Sequence, residues 1–287
     1  LELYGSGSST TPAPAPTLNN LAGGVINVTA QDNAPFYGYT YYSGAPTLNN
    51  AGTLNWNATY STQNFSDIQY LTVNNSGTIN VNEGLRLYYT GGTNTGTWNI
   101  ASGKNLYLYG NNTNTLAAGS NVTGGGNLEV QSGTLNINDS FGLSSSGTLK
   151  VTGGSVNIDT TGTALTLNNA LFVSAGTLNA TDDLTVPLLN WTGGTITGSG
   201  KLITPSSGTA TLYGSTTRYL TNKTWDNSGT INLQGGTLQL YGSGSSTTPA
   251  PAPTLNNLAG GVINVTAQDN VPLYGTSYYS GAPTLNN

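Results

Sequence analysis

The sequence predicts an all-β fold, a parallel β-solenoid with loop insertions. Three observations predict it: a short strand motif that recurs along the chain, punctuation by Gly and Asn, and an absence of hairpin signals. The motif is small–Gly–Thr–aliphatic–Asn–aliphatic. It reads Ala51-Gly52-Thr53-Leu54-Asn55-Trp56, Ser76-Gly77-Thr78-Ile79-Asn80-Val81 and Ser132-Gly133-Thr134-Leu135-Asn136-Ile137, with further copies opening at Ser146, Ala175 and Ser228. Apolar and polar residues alternate in each copy, the period of a strand with one buried face. The Gly ahead of each strand suits a corner that needs positive φ or close backbone approach.

A second element, Thr–apolar–Asn/Asp–Asn, often precedes the first. It stands at Thr17, Thr47, Thr72, Thr166, Thr224, Thr254 and Thr284. These starts suggest a coil of roughly 23 to 30 residues, within the range of solenoid repeats. The coil is read as strand, Asn-rich corner, strand and a more variable return. Strand copies also follow one another at a shorter step, as at Gly126/Gly133, Gly147/Gly154 and Gly229/Gly236, which reads as two consecutive sides of one coil. Chance pairing of 37 Asn with 40 Gly would give about five Asn-Gly dipeptides, and there are none, nor any Asp-Gly. Those pairs are the strongest short hairpin signal, so antiparallel meanders are disfavoured. In a parallel stack, aligned Asn residues can hydrogen-bond from coil to coil as ladders. Leu, Ile and Val are expected inside; Ile79, Val81, Leu135, Ile137, Ile231 and Leu233 should point inward, and Asn80, Asn136 and Asn232 outward or into ladders.

A longer repeat overlies this rhythm. Residues 1–50 recur as residues 238–287, identical at 45 of 50 positions. The reading is one continuous solenoid over residues 1–287, with 1–237 one block and 238–287 the start of the next, as in a quasi-one-dimensional array. The chain opens in mid-pattern at Leu1-Glu2-Leu3-Tyr4, so it is expected to be a piece of something longer.

Composition narrows the chemistry. Only 6% of residues are charged, against 36% hydrophobic, and His, Cys and Met are all absent. Disulfides, thiol nucleophiles, Cys/His metal sites and His-based triads are thereby excluded. Six basic and 11 acidic residues, with no basic run, disfavour nucleic acid as a partner. No apolar run approaches the roughly 20 residues of a spanning helix. No metal site and no cofactor are expected.

Phrases such as Trp191-Thr192-Gly193-Gly194-Thr195-Ile196-Thr197-Gly198-Ser199-Gly200 and Trp225-Asp226-Asn227-Ser228-Gly229-Thr230-Ile231-Asn232 resemble the repeats of giant secreted bacterial surface proteins. These are similar to filamentous-haemagglutinin-type adhesins. The resemblance implies a right-handed β-helix, export across the envelope and a role in adhesion or matrix.

Two insertions interrupt the coils. Ser9-Thr10-Thr11-Pro12-Ala13-Pro14-Ala15-Pro16, repeated at 246–253, reads as an extended loop leaving the stack. Pro35 to Pro46 carries Tyr37, Tyr39, Tyr41 and Tyr42, and its echo carries Tyr274, Tyr278 and Tyr279. Tyr is enriched at interfaces. These tyrosines are the candidate binding residues, either as contact loops or as a self-packed cover on the solenoid wall. Asp182 and Asp183 are the densest carboxylates, but neighbours on a strand face opposite ways. Eleven Asn-x-Ser/Thr sequons are near the number chance provides. The paired-Thr pattern of ice-binding solenoids and the Asp pattern of calcium-binding ones are not matched.

The expected function is a non-enzymatic structural component of an extracellular or cell-surface fibre, associating with itself. The alternative is an adhesin that binds a glycan or surface through the Tyr-rich loops. A β-helix polysaccharide-degrading enzyme is the remote third.

Overall fold

The computed structural model describes residues 1–5, 10–11, 13–39, 44–138, 142–143, 147–168 and 170–287. Ser9, Pro12, Tyr41, Tyr42, Ser146 and Asn169, which figure in the sequence patterns, lie outside the described residues. The described chain is all-β: strands joined by corners, without helix. It forms a parallel β-solenoid with three strands to each coil. It divides into two compact units, Leu1–Thr148 and Leu149–Asn287.

In the first unit, the first wall stacks Glu2–Tyr4, Phe36–Tyr39, Ser66–Gln69, Leu85–Tyr88, Asn105–Tyr109 and Asn127–Val130. The second stacks Thr17–Asn20, Thr47–Asn50, Thr72–Asn75, Gly92–Asn94, Thr113–Leu116 and Thr134–Ile137. The third runs from Val25–Val28 through Thr53–Trp56, Thr78–Val81, Thr97–Ile100 and Asn121–Gly124 to Gly142–Leu143. The second unit repeats this scheme. Its walls include Ala170–Val173, Leu188–Trp191, Thr209–Leu212, Thr230–Leu233 and Val262–Val265 on one side. Ser155–Ile158 to Leu273–Tyr278 form the next side, and Leu165–Thr166 to Thr284–Asn286 the third.

Alternation sets the inside. Leu54, Trp56, Ile79, Val81, Leu135, Ile137, Ile231 and Leu233 are all buried. Asn80 and Asn232 face outward and join side-chain ladders, Asn80 between Asn55 and Asn99, and Asn232 with Asn264. The closely spaced strand copies prove to be consecutive walls, as with Asn127–Val130 and Thr134–Ile137.

Coil length varies more widely than the spacing of the Asn pairs suggests. Pairing advances from Ala170 to Leu188 and from Leu85 to Leu106, both shorter than the expected coil, and from Glu2 to Tyr37, which is longer. The reason is that stacking constrains only the short strands, so corners lengthen or shorten without disturbing register. The near-identical segments keep the same pairing, each within its own unit: Glu2 to Tyr37 and Thr17 to Thr47 in one, Gln239 to Tyr274 and Thr254 to Thr284 in the other.

The Asn-Asn element also differs from a simple corner. Its two residues end a strand and face opposite ways. The first ladders outside, with Nδ2 of Asn74 donating to Oδ1 of Asn49 at 3.0 Å and Asn49 to Asn19 at 2.9 Å. The second is buried: Asn20 donates to Asn50 and Asn50 to Asn75, each at 2.7 Å, and Asn75 to Asn94 at 2.6 Å. Each interior amide also donates to carbonyls across the corner, as Asn50 does to Gly52 at 3.3 Å and to Thr78 at 3.1 Å. The second unit holds the same ladder from Asn227 to Asn257 to Asn287. The glycine that follows is required by approach rather than by φ. A Cβ on Gly77 would lie 2.1 Å from the carbonyl oxygen of Gly52, and one on Gly96 would lie 2.1 Å from that of Gly77.

The proline insertion of the second unit is a corner loop between Leu238–Ser243 and Thr254–Asn257. It is tied to the neighbouring coil by Ala250 N donating to Tyr279 O at 3.1 Å. Among the described residues no helix is long and apolar enough to cross a membrane.

The two ladders should differ in weight. Asn75→Ala removes two buried amide–amide bonds and two bonds to the carbonyls of Gly77 and Thr97, strands the groups they served, and is expected to cost about 2–3 kcal/mol. Asn74→Ala, on the outer ladder, is expected to cost less than about 1 kcal/mol. Urea denaturation of the two variants beside the parent chain measures the difference.

Candidate functional site

The first wall of the first unit carries an aromatic surface on its outer face. Its inward residues, Ile68, Leu85, Leu87, Leu106 and Leu108, fill the core, so alternation turns Tyr88, Tyr107 and Tyr109 outward. Register then places Tyr88 against Tyr109, with centroids 5.3 Å apart and rings 7° from parallel. Tyr4 stacks on Tyr39 at 5.1 Å, Tyr39 leans on Tyr37 at 6.2 Å, and Tyr37 meets Tyr70 edge-on at 5.6 Å. Tyr70 in turn meets Tyr88 at 5.6 Å and Tyr89 at 5.7 Å, so the contacts run unbroken from Tyr4 to Tyr109.

Tyr70 and Tyr89 occupy the corner after the wall with φ of 57° and 47°, where the following coil has Gly110 at 112°. A side chain in the left-handed region costs roughly 1–2 kcal/mol. That cost is borne at two successive coils, and it places two rings at the wall's edge. Burial, and after it the neighbouring Tyr88, pushes the Tyr70 phenol up from its ordinary value. Burial and the nearby Glu129 carboxylate do the same for Tyr107.

One ion pair anchors the surface. Arg86 grips the buried Asp67 carboxylate through Nε at 3.0 Å and Nη2 at 2.8 Å. Its guanidinium lies over Phe65 at 4.4 Å, Tyr88 at 4.8 Å and Tyr109 at 5.4 Å. The fork geometry and the flat cation suit both partners at once.

A polar cavity of about 330 Å³ opens beside this surface. The corner from Asn57 to Phe65 is longer than those of the next two coils, 82–84 and 101–104. Its tip is closed by a bridge between Tyr60 and Gln63. Gln63, Asn64, Phe65, Glu83, Lys104 and Asn105 line the space, and Lys104 pairs with Glu83 at 2.5 Å. Phe65 belongs to both cavity and wall, meeting Tyr107 at 5.2 Å.

The expected contact residues fall unevenly. Tyr37 and Tyr39 lie in a wall strand rather than a loop and belong to the aromatic surface; Tyr41 and Tyr42 are outside the described residues. Tyr274 and Tyr278 also lie in a strand, Leu273–Tyr278, and with Tyr279 are well exposed. Tyr278 and Tyr279 contact each other at 5.6 Å. Tyr274 and Tyr278 are strand residues because the coil continues through them. Thr276 replaces Tyr39 in this copy and accepts a hydrogen bond from Gln239 at 2.6 Å. Sequence reasoning missed Tyr70, Tyr88, Tyr89, Tyr107, Tyr109 and Arg86. Their signal is spacing: Tyr70 to Tyr89 and Tyr88 to Tyr109 each span one coil.

The carboxylates of the second unit are engaged in structure. Asp182 accepts bonds from the Thr160 hydroxyl at 2.9 Å and the amides of Thr160 and Gly162 at 2.6 and 3.0 Å. Although partial desolvation opposes them, these bonds hold its carboxyl below the usual range. Asp183 accepts from the Lys201 amide at 2.7 Å, and Asp226 pairs with Lys201 at 2.9 Å. Among the described residues no group of three metal-ligating side chains converges. Two cations are buried: Arg218, on the carbonyls of Tyr213 and Gly235, and Lys223, on those of Ala180 at 3.0 Å and Gly200 at 2.6 Å. Burial pushes the Lys223 ammonium down to about 8.

The architecture defines the class, a parallel β-solenoid compatible with β-helix repeat proteins. Comparison with protein-family models, curated proteins and solved structures gives no match to this chain.

Arg86→Met leaves Asp67 charged and unpaired under the wall, and is expected to cost about 3–5 kcal/mol. Adding Asp67→Asn should recover much of that loss, read from denaturant midpoints. Lys223 sets a pH dependence. Its folded value of about 8 lies below the ordinary 10.5, so between those pH values the unfolded chain holds more protons and stability rises with pH. Measured against Lys223→Met, the parent chain should gain on the order of 3 kcal/mol across that window.

Proposed function

We propose that the protein is a structural component of an extracellular or cell-surface fibre, built from tandem solenoid blocks and associating with copies of itself. The observation that carries the reading is the coil-on-coil ladder. Backbone strands, interior amides and outer amides all bond along the direction of stacking, so each coil prepares the edge for the next. Near-identity between residues 1–50 and 238–287 supports an array of blocks, as does the reuse of the same coil pairing in each copy. The likeness of the repeats to filamentous-haemagglutinin-type surface proteins points the same way and suggests secretion. The role is non-catalytic in this reading, with strength and display as its output.

A second reading, an adhesin, is favoured by the aromatic wall. Outward rings joined in one surface are costly to keep wet, and large exposed apolar patches mark contact sites. The wall replaces the loops as the contact surface in this reading.

Electron microscopy of the native material, with antibody labelling at the cell surface, tests the fibre. Thin filaments labelled along their length are expected. Dispersed globular particles, or label confined to the cell interior, would overturn it.

A further inference from the structure

We propose that the cavity under the Asn57–Phe65 corner and the aromatic wall beside it form a binding site for a neutral polysaccharide chain. The inference goes beyond the fibre reading and does not rest on it. Three features of the site select this ligand.

The first is shape and surface. Successive tyrosines advance by one coil, about 4.8 Å, close to the length of one sugar residue in an extended chain. Tyr89 and Tyr109 remain 37% and 38% exposed, so their rings offer platforms to the C–H faces of pyranoses. The cavity, at about 330 Å³, lies at the small end of the range of ligand sites and has room for a sugar ring.

The second is polarity. Gln63, Asn64 and Asn105 bring amide donors and acceptors to a space that Phe65 lines on one side. An aromatic face with convergent amides matches a ligand that is apolar on its ring face and hydroxylated at its rim.

The third is charge. Arg86 is engaged by Asp67, and Lys104 by Glu83. Single-stranded nucleic acid also stacks on aromatic side chains, but it needs a basic groove along its phosphates. Anionic glycans likewise need uncompensated cations. The wall strands are already paired on both sides by neighbouring coils, so a peptide has no free edge to extend. A neutral chain is what remains, and it requires none of these.

Affinity electrophoresis of the whole chain tests the site, using gels containing hydroxyethylcellulose, galactomannan or dextran, with heparin as the polyanion. At least one neutral polymer should retard the protein, and added salt should leave the retardation intact. Tyr109→Ala and Gln63→Ala should each weaken it roughly tenfold, the scale of a contact hot spot. Gln63 is on an exposed corner, so its variant reports on binding even if loss of Tyr109 loosens the wall. Tyr219→Ala, an exposed tyrosine of the second unit, should bind as the parent does. The proposal is overturned by no retardation in any neutral gel, by retardation in heparin alone, or by variants of the site that bind as well as the parent. It is also overturned if Tyr219→Ala loses binding equally. Filaments formed by a chain that no neutral gel retards would remove this site and leave the fibre standing, so the two readings fail separately.

Discussion

Stacking coil on coil makes each strand the template for the next, and the buried amide ladder is what lets the narrow interior carry that register through a corner. A Leu at the second Asn position would bury more apolar surface, but it would leave the corner carbonyls without donors. The amide accepts from the coil on one side, donates to the coil on the other, and still reaches carbonyls such as those of Gly52 and Thr78. A buried polar group is tolerable when all its partners are present, and within a stack the neighbouring coil supplies them. The glycine beside it completes the device, since a Cβ on Gly77 would strike the carbonyl oxygen of Gly52.

Because register is held at strands and corners, the connections are free to vary. The long step from Glu2 to Tyr37 and the short one from Ala170 to Leu188 obey the same three-walled scheme, each in its own unit. The longer corner between Asn57 and Phe65 leaves a recess beneath it. A solenoid can acquire a site there by lengthening one turn, at little entropic cost to the stack.

The outward positions are likewise released from the core's demands. In the first unit they carry linked tyrosines and a guanidinium laid across them; in the second unit Thr and Asn are common. Beside the buried amides, the second unit also buries two cations, Arg218 and Lys223. Lys223 is held by two carbonyls, and its hydrogen bonds go to no carboxylate. Burial therefore depresses its proton affinity and makes local stability depend on pH.

The strand motif, its alternation and the 45 matches between residues 1–50 and 238–287 determine by themselves a parallel stack with Ile79, Val81, Ile231 and Leu233 inside. That much is local: a period of two and a glycine before each strand are properties of consecutive residues. The use of the Asn pair is half legible. Ladders follow from the repeat, but which Asn turns inward depends on where the strand ends. The aromatic surface is not legible, because Tyr70, Tyr88 and Tyr109 stand about a coil apart and touch only once coil length is settled. Coil length is decided by the corners, whose lengths differ from one turn to the next. The tyrosine cluster at Tyr37 to Tyr42 stands out because it is dense in sequence. The structure joins Tyr37 and Tyr39 to rings that are distant in sequence, since stacking brings residues one coil apart into contact beside near neighbours along the chain.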